Sequence, residues 1–300
     1  MTALVAGIDV GGTKTRTVVE TSAGEVLVDV TEATTGWRGA SFADKGARTA
    51  AALLERVAPL GGPRVLAAVG VGAHGCDLVE ESEELQRHLA GHLPGVRCVV
   101  VNDAELVAPA ADRPTAVGLI AGTGSVAVGR TPSGDRVHAG GWGWLVGDEG
   151  GASGIVREAV RASLRAVEDG SGDPLPALLC GALGVDHVLD LPGQLLSGDP
   201  ASWSAHAGLV FDAQAAGSAL AAGLVDDAGA ALADLVARVV SRGALGTELV
   251  AAGGVITAQP SLRAALDRGL AERGVPARVQ LLQAPPVAGA VRLARAALLP

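Results

Sequence analysis

Hydrophobic and polar positions in the first third of the chain follow two periods, that of strands and that of helices. Short apolar runs between glycine or polar turns predict strands, and apolar residues three and four apart predict helices. The predicted strands are Ala3–Val10, Thr15–Val19, Glu25–Val30, Val65–Val71 and Val96–Val101, and the predicted helices are Ser41–Ala58 and Ser82–Leu93. Asn102 is expected to cap a further helix that begins at Asp103, because asparagine is a good N-cap.

A second set of elements begins near residue 114. Two predicted strands, Thr115–Ile120 and Ser125–Arg130, flank a glycine turn, as the first two strands of the chain do. This repeat of strand, glycine turn and strand suggests an internal duplication of one structural unit. The remaining predictions are a mostly helical region over 150–243, in which Asp226 and Asp227 cap one helix, and then strand 249–252, helix 261–272, strand 278–283 and helix 286–298.

This order of elements predicts an α/β protein of two halves with a helical insertion in the second. The N-terminal domain is expected over residues 1–112 and the C-terminal domain over residues 113–285. The last helix, about 286–300, is expected to pack back on the first half.

Composition and charge narrow the classes of function. The 300 residues are 49% apolar, so the chain can bury a sizeable core. Its net charge of −9, without a Lys/Arg run, argues against a nucleic-acid or anionic-membrane partner. The N-terminus lacks the basic region of a signal peptide, and no apolar stretch is long enough to span a membrane. Cys76, Cys98 and Cys180 are scattered and odd in number, which fits free thiols in the cytoplasm.

The first candidate motif is Gly7–Thr15, GIDVGGTKT. Its glycines allow backbone N–H groups to approach an anion closely, and Thr13 and Lys14 add a hydroxyl and a positive charge. Asp9 can hold a hydrated Mg²⁺ beside a phosphate. The alternative is an ordinary hairpin turn, and the pattern is not a Walker A loop.

The second candidate motif, Leu119–Ser125 or LIAGTGS, has the same design of strand, glycine turn and hydroxyls. Two such loops facing each other could hold a polyphosphate from both sides. A pair of these hairpins in one chain is much less expected by chance than a single one.

The third candidate is Asp103, which follows a predicted buried strand where α/β proteins place ligands. A kinase needs a carboxylate within hydrogen-bond reach of the attacking hydroxyl, and Asp103 can serve as that base. The alternative is that Asn102 and Asp103 only cap a helix.

The fourth motif is Gly140–Gly151, GGWGWLVGDEGG, in which glycines surround two tryptophans and two acids. Sugars present C–H faces to aromatic rings and hydroxyls to carboxylates, so this composition suits a sugar pocket. The alternative is a packed turn with core tryptophans.

These motifs, with VNDA at 101–104, occur in the order seen in the N-acetylglucosamine kinase branch of the BadF/BadG/BcrA/BcrD-type ATPases. The chain resembles that family, part of the actin/Hsp70/hexokinase superfamily, over nearly its whole length. The segment VAAGGV at 250–255 is similar to the family's adenosine-binding turn, and PVAGA at 286–290 resembles its closing segment.

The resemblance implies two ribonuclease-H-like domains with ATP in a cleft between them. It implies Mg²⁺-dependent phosphoryl transfer to the 6-hydroxyl of an amino sugar, with N-acetylglucosamine as the first candidate, Asp103 as the base and a homodimer as the assembly. The implied nucleotide-binding residues are Asp9, which holds Mg²⁺ through water, and Gly11, Gly12, Thr13, Lys14, Gly122, Thr123, Gly124, Gly217, Gly253 and Gly254. The implied sugar-binding residues are Trp37, Asn102, Asp103, Ser125, Gly141, Trp142, Gly143 and Asp148.

Two loops depart from the family pattern. The segment 33–37 carries no Asn where relatives often use one to contact the sugar, and the loop Gly72–Cys76 differs from a Ser/Gly-rich version. Glucosamine and N-acetylmuramate therefore stay open as alternative substrates.

Three readings of other kinds also stay open. A dinucleotide-binding enzyme would use the G-x-G-x-x-G that starts at Gly70, but Asp103 follows it by 33 residues (103 − 70), where about 20 are usual. An activator ATPase of the same broad family would need grouped thiolates for an iron–sulfur cluster. A sugar-sensing regulator would be expected to carry a DNA-binding extension.

Overall fold

The structure is a computed structural model that describes residues 3–299, apart from the side chains of residues 200 and 201. The chain divides into two compact units. Unit 1 takes in the residues up to Pro114 and those from Leu282 onward, and unit 2 runs from Thr115 to Leu281.

The strands are β1 (Leu4–Val10), β2 (Lys14–Thr21), β3 (Val26–Ala33), β4 (Leu66–Ala73), β5 (Arg97–Asn102), β6 (Val117–Ala121), β7 (Ser125–Arg130), β8 (Arg136–Gly140), β9 (Glu248–Ala252) and β10 (Arg278–Leu281). The α-helices are α1 (Phe42–Val57), α2 (Val79–His92), α3 (Val107–Ala110), α4 (Ala152–Glu168), α5 (Leu175–Leu183), α6 (Leu191–Ser197), α7 (Pro200–Ser204), α8 (Gly208–Ala215), α9 (Ala219–Ser241), α10 (Gly254–Ala258), α11 (Pro260–Glu272) and α12 (Val287–Ala296). Short 3₁₀ turns join several of them.

Unit 1 is built on a five-stranded sheet of order β3-β2-β1-β4-β5. β2 and β3 run antiparallel to their neighbours, whereas β1, β4 and β5 are parallel, so the carboxyl ends of these three strands meet at one edge. Alternate side chains of β1, among them Leu4 and Ile8, enter the core that includes residues of α1 and α2. Val5, on the other face, packs with residues of α12.

Glycines allow α12 to lie directly on the unit 1 sheet. A Cβ at Gly7 would come within 2.5 Å of the Val291 side chain, and one at Gly70 within 2.1 Å of the Ala290 carbonyl oxygen. Such distances leave no room for a side chain, so the helix and the sheet touch through their backbones. The segment at 282–300 is thereby part of the unit 1 core.

Unit 2 has a sheet of order β10-β9-β6-β7-β8. Read from β8, this is the same arrangement as in unit 1: an antiparallel meander of three strands whose first member pairs in parallel with a later strand. The sheet shares a core with the helical segment, in which Leu232, Val236 and Val239 of α9 are buried. The predicted α/β class and the twofold strand–glycine turn–strand unit are therefore confirmed.

Two details of the sequence prediction are wrong. Asp226 and Asp227 cap no helix, because they lie inside α9, whose N-cap is Ser218 with its hydroxyl accepting the Ala221 N–H. Strand β8 was not predicted, since its five residues pair only with β7 and carry polar side chains at alternate positions.

Within residues 3–299, no single helix has the length and apolarity needed to cross a membrane. One bent pair, Leu175–Leu183 with Val188–Ser197, passes that test on length and composition alone. Leu175, Leu179 and Leu191 of this pair belong to the buried core of unit 2, as core helices of this composition commonly do.

Candidate active site

The carboxyl edge of the unit 1 sheet collects the predicted acidic residues. Asp9 of β1 is in register with Gly72 of β4, which is in register with Val101 of β5. Asn102 ends β5 one position later, and Asp103 follows it directly. Parallel pairing therefore brings Asp9 and Asp103 to one edge, although they are far apart in sequence.

Asn102 is a helix cap, as one of the two alternatives for this motif predicted. Its side-chain oxygen accepts the Ala104 N–H at 3.0 Å, while its amide group donates to the Cys76 carbonyl at 3.2 Å and to the Asp77 carboxylate at 3.1 Å. Glu105 completes a capping box by accepting the Asn102 N–H at 3.1 Å. Because Asn102 does the capping, it is already engaged on several sides, and its predicted sugar contact would have to compete with these bonds.

Asp103 keeps a carboxylate that is 26% exposed at the start of the capped turn. One oxygen accepts the Ala104 N–H at 3.1 Å, and the other lies 3.8 Å from Nδ1 of His74. Burial raises the pKa of Asp103 above its usual value and Asp77 adds to this, whereas His74 and the backbone N–H groups oppose it. A partly desolvated carboxylate with one open side is suited to take a proton from a bound hydroxyl.

Asp9 is a half-buried carboxylate at the same edge. Burial, followed by the negative charge of Asp103, raises its pKa to about 7, and Arg16 opposes the change. Two carboxylates sharing a poorly solvated place favour a cation or a proton between them.

The donor set at this edge fits Mg²⁺ rather than a metal that needs a full protein cage. Among the residues that the structure describes, no three His, Cys, Asp or Glu side chains are grouped as metal ligands. Mg²⁺ keeps several waters and is commonly held by one or two carboxylates together with substrate phosphates, which Asp9 can satisfy.

The first glycine turn is tied into β2 and into the loop after β3. The Gly11 N–H donates to the Lys14 carbonyl at 3.0 Å, and the Thr34 N–H donates to the Thr13 carbonyl at 2.9 Å. The turn itself stays open, since Gly12, Thr13 and Lys14 are all exposed. Its geometry suits an anion approaching the backbone.

Two side chains that sequence reasoning did not select lie over this turn. A side chain introduced at Gly12 would lie 3.7 Å from a guanidinium nitrogen of Arg38 and 3.9 Å from Nε2 of His74. His74 belongs to the loop Gly72–Cys76, which departs from the family pattern, and Arg38 directly follows the other departing segment, 33–37. The departure was visible in the sequence, but its consequence, a basic surface next to Asp103, required the fold.

Trp37 joins these loops from inside the core of unit 1. It is only 8% exposed, and its indole N–H donates to the His74 carbonyl at 2.8 Å. The ammonium group of Lys45 lies 5.3 Å from the ring centre, which covers it further. The ring lies inside the core of unit 1, and its contact with a sugar stays a prediction.

The second glycine turn, in unit 2, is held by the start of α4. The Ala152 N–H donates to the Gly122 carbonyl at 2.8 Å, and the Ser153 N–H donates to the Thr123 carbonyl at 2.9 Å. Gly151 packs so closely on Gly124 that a Cβ there would lie 2.5 Å from the Gly124 carbonyl carbon. The side chain of Thr123 stays on the exposed side of this fixed turn.

Asp148 joins the acidic loop to the second glycine turn. It has a left-handed backbone, with φ of 61°, and its carboxylate accepts the Ser125 N–H at 3.2 Å. Burial raises the pKa of Asp148, and the Ser125 N–H opposes this. Asp148 thus contacts the phosphate-type turn, a connection between two motifs that the sequence treats separately.

Ser125 and Trp142 have opposite surroundings. Ser125 is 2% exposed and its hydroxyl donates to the Glu149 carbonyl at 2.7 Å, and its contact with a sugar stays a prediction. Trp142 is 64% exposed between Gly141 and Gly143, both with positive φ, and its ring centre is 5.8 Å from that of His138. An exposed indole held on a glycine-rich loop is an available surface for an apolar sugar face.

A cavity of about 430 Å³ in unit 2 brings the second glycine turn and the Gly253-Gly254 turn together. Its lining consists of Gly122, Thr123, Ala152, Ser204, Ala205, Ala207, Gly208, Phe211, Gly254, Val255, Ala258 and Gln259. Gly253 lies behind this lining, where a Cβ would be 2.4 Å from the Ala121 carbonyl oxygen. The volume of the cavity is typical of small-molecule pockets, which measure about 300–1,000 Å³.

The predicted Gly217 does not line this cavity. It follows α8 with φ of 93°, and the nearby lining comes from the beginning and middle of that helix, at Gly208 and Phe211. No local pattern distinguishes Phe211 in the sequence, beyond its being one of two phenylalanines in the chain.

The model of the BadF/BadG/BcrA/BcrD ATPase family matches residues 6–294. An N-acetylmuramic acid/N-acetylglucosamine kinase of Clostridium acetobutylicum is 30% identical over 169 residues, which cover 55% of this chain and 54% of that protein. The chain thus aligns with about half the length of this kinase.

Two solved structures resemble the chain over nearly its whole length. A protein of Chromobacterium violaceum, provisionally named an N-acetylglucosamine kinase, has a TM-score of 0.70 at 22% identity, with 97% of this chain and 99% of that one covered. A ROK family glucokinase of Streptomyces griseus, in complex with glucose and AMPPNP, has a TM-score of 0.54 at 21% identity, with coverages of 98% and 100%. At these identities the likeness concerns the fold.

Proposed function

We propose that this chain, which belongs to the BadF/BadG/BcrA/BcrD ATPase family, is an ATP-dependent sugar kinase. The reaction would transfer the γ-phosphoryl group of ATP to the 6-hydroxyl of an amino sugar, giving the sugar 6-phosphate and ADP. The observation that carries the proposal is the Asp103 carboxylate, which has an open side and lies at the same sheet edge as Asp9 and the first glycine turn.

Unit 1 supports the acid–base part of the reaction. Asp103 would accept the proton of the sugar hydroxyl as that oxygen forms its bond to phosphorus. Asp9 would hold Mg²⁺ through water, and the ion when bound would offset negative charge on the phosphates. The exposed Lys14 and Thr13 would add a charge and a hydroxyl at the glycine turn.

Unit 2 supports the binding of the nucleotide. Its cavity combines an exposed Thr123 on a glycine turn, which suits phosphate, with the apolar side chains of Phe211 and Val255, which suit a planar base. Asp148 would help by keeping the turn in shape through the Ser125 N–H.

N-acetylglucosamine is the first candidate substrate, in line with the kinase of Clostridium acetobutylicum. N-acetylmuramate and glucosamine are the alternatives, because the segment 33–37 and the loop Gly72–Cys76 depart from the family pattern. The exposed Trp142 would offer its ring to the apolar face of the sugar. A homodimer is part of the proposal and is checked by light scattering on the purified protein.

The cysteines favour the kinase over an activator ATPase with an iron–sulfur cluster. Cys76 and Cys180 are buried, and burial raises the pKa of Cys76 to about 11. The same cause raises the pKa of the half-buried Cys98 to about 11. A cluster at a subunit interface needs thiols at the surface, whereas two of these three thiols are buried within their own unit.

The deciding experiment measures ADP release with Mg²⁺-ATP over a panel of hexosamines and neutral hexoses. Asp103→Asn should lower kcat at least about a hundredfold, since it removes the base, while ATP still binds. Asp227→Asn, an exposed change on α9, is the control and should match the parent. The kinase proposal fails if no sugar of the panel stimulates ADP release, and the base assignment fails if Asp103→Asn keeps the parental rate.

A further inference from the structure

The backbone of His74 is fixed on both sides. Its N–H donates to the Val10 carbonyl at 2.8 Å, at the carboxyl end of β1. Its carbonyl accepts the indole N–H of the buried Trp37, also at 2.8 Å. A residue held in this way presents its side chain in a defined direction, although the imidazole itself is 41% exposed.

The His74 ring lies between the candidate base and the first glycine turn. Nδ1 is 3.8 Å from Oδ2 of Asp103. The opposite edge of the ring, at Cδ2 and Nε2, would lie 3.9 Å from a Cβ at Gly12. The distance to Asp103 is longer than a hydrogen bond, as contacts of catalytic groups often are before a substrate binds.

We propose that His74 is a positioning residue, which holds the Asp103 carboxylate toward the sugar hydroxyl and connects this base to the Gly11-Gly12 turn. The inference rests on the proposed function, since it takes Asp103 as the base. It also gives a role to the loop Gly72–Cys76, whose departure from the family pattern has no explanation in the sequence alone.

Charged groups around Asp103 explain why such a residue is needed. The negative charges of Asp9 and Asp77 act on it, and a base next to other acids tends to hold its proton. The titratable and charged groups around this edge are Asp9 of β1, Arg16 of β2, Arg38 of the loop after β3, Lys45 of α1, Asp77 and Glu81 at the start of α2, and Glu105 of the capped turn. Among the groups near Asp103, the imidazole of His74 lies beside Oδ2, the carboxylate oxygen that does not accept the Ala104 N–H.

The chain contains a closely matched control for His74. His88, on α2, is also 41% exposed, and its Nε2 lies 3.9 Å from Oε1 of Glu84. This pair has the same chemistry and nearly the same distance, but it lies on α2 away from the carboxyl edge, where His88 packs against Gly46 of α1. His88→Gln therefore controls for the loss of any exposed histidine next to a carboxylate.

The kinetic test compares His74→Gln, His88→Gln and the parent over pH 5 to 9. His74→Gln should lower kcat by roughly ten- to a hundredfold, as expected when a reacting group loses its position. It should also move the acid limb of kcat/KM to higher pH, because Asp103 then needs a higher pH to ionise, while KM for ATP stays near the parental value. His88→Gln should leave kcat and the acid limb unchanged.

A measurement without turnover separates this inference from the proposed function. The ¹³C shift of the Asp103 carboxyl, identified by its loss in Asp103→Asn, is followed against pH in the parent and in both histidine variants. The Asp103 titration should move to higher pH in His74→Gln only. If it stays in place, or if kcat and the acid limb of His74→Gln match the parent, the positioning role is refuted. If no sugar is phosphorylated by the parent while the titration still moves, the kinase proposal falls and the pairing of His74 with Asp103 stands.

Discussion

Replacing Asp9 by Asn should stabilise the protein, and more so at high pH. Asp9 has its pKa raised from 3.8 to about 7, mainly by burial and then by Asp103. Between these two values the folded protein keeps a proton that the unfolded chain has released. The free energy of unfolding therefore falls as the pH rises through this window, and the cost of Asp9 is fully present above it.

The size of the effect follows from the same two values. A tenfold change in proton affinity corresponds to about 1.4 kcal/mol, so the change in the Asp9 pKa from 3.8 to about 7 costs about 4 kcal/mol at pH 8 and about 2 kcal/mol at pH 5. Asparagine carries no charge at either pH. Asp9→Asn should gain up to these amounts, together with a loss of activity where the ionised carboxylate holds Mg²⁺.

Urea denaturation at pH 5 and pH 8, followed by tryptophan fluorescence and circular dichroism, measures the gain. Asp29→Asn is the control with the opposite sign, because hydrogen bonds from Arg16 lower the pKa of Asp29. Both pH values lie above that pKa, so this exposed pair should contribute the same amount at each, at most about 1 kcal/mol. A gain for Asp9→Asn that is equal at pH 5 and pH 8 would refute the electrostatic explanation, since other groups that titrate in this range are present in both proteins and cancel from the difference.

Two further predictions concern packing and the sugar loop. Gly70→Ala should destabilise the protein by about 2–3 kcal/mol in the same assay, because its Cβ would lie 2.1 Å from the Ala290 carbonyl oxygen. The control Gly91→Ala in α2, with open space around it, should stabilise the protein by about 0.5–1 kcal/mol. Equal effects of the two changes would argue against the close packing of α12. Trp142→Ala should raise KM for the sugar about tenfold with little change in stability. The control Leu145→Ala changes a similarly exposed residue of the same loop and should leave that KM unchanged. An unchanged KM in Trp142→Ala would show that Trp142 is not part of the sugar site.

Local elements of the fold can be predicted from the sequence where the pattern of neighbouring residues allows few alternatives. Val117–Ala121 and Ser125–Arg130 appear as predicted within two residues, because apolar runs bounded by glycine leave few alternatives to a hairpin. The capping role of Asn102 was also readable, since it depends on neighbours in sequence. The predicted cap at Asp226 and Asp227 is wrong, because acidic residues suit the exposed face of a long helix as well as they suit its N-terminus.

The site was less predictable, because its contacts join distant parts of the chain. Trp37 and Ser125 are selected by residue type, whereas their burial depends on the whole fold and is not visible in the sequence. Asp148 was selected for its carboxylate, and only the left-handed backbone turns that carboxylate onto the Ser125 N–H. The reverse holds for Arg38 and His74, which the sequence does not single out as site residues and which the fold brings to Gly12.

The close fit of α12 on β1 and β4 has a consequence for the order in which the protein is made. Unit 2 is continuous in sequence, so it can fold as soon as residue 281 has left the ribosome. Unit 1 begins first but ends last, because the helix that covers Gly7 and Gly70 is synthesised after all of unit 2. One face of the first sheet therefore stays uncovered while more than half of the chain, residues 115–281, is synthesised. A chaperone that binds apolar strands would find its target on that face.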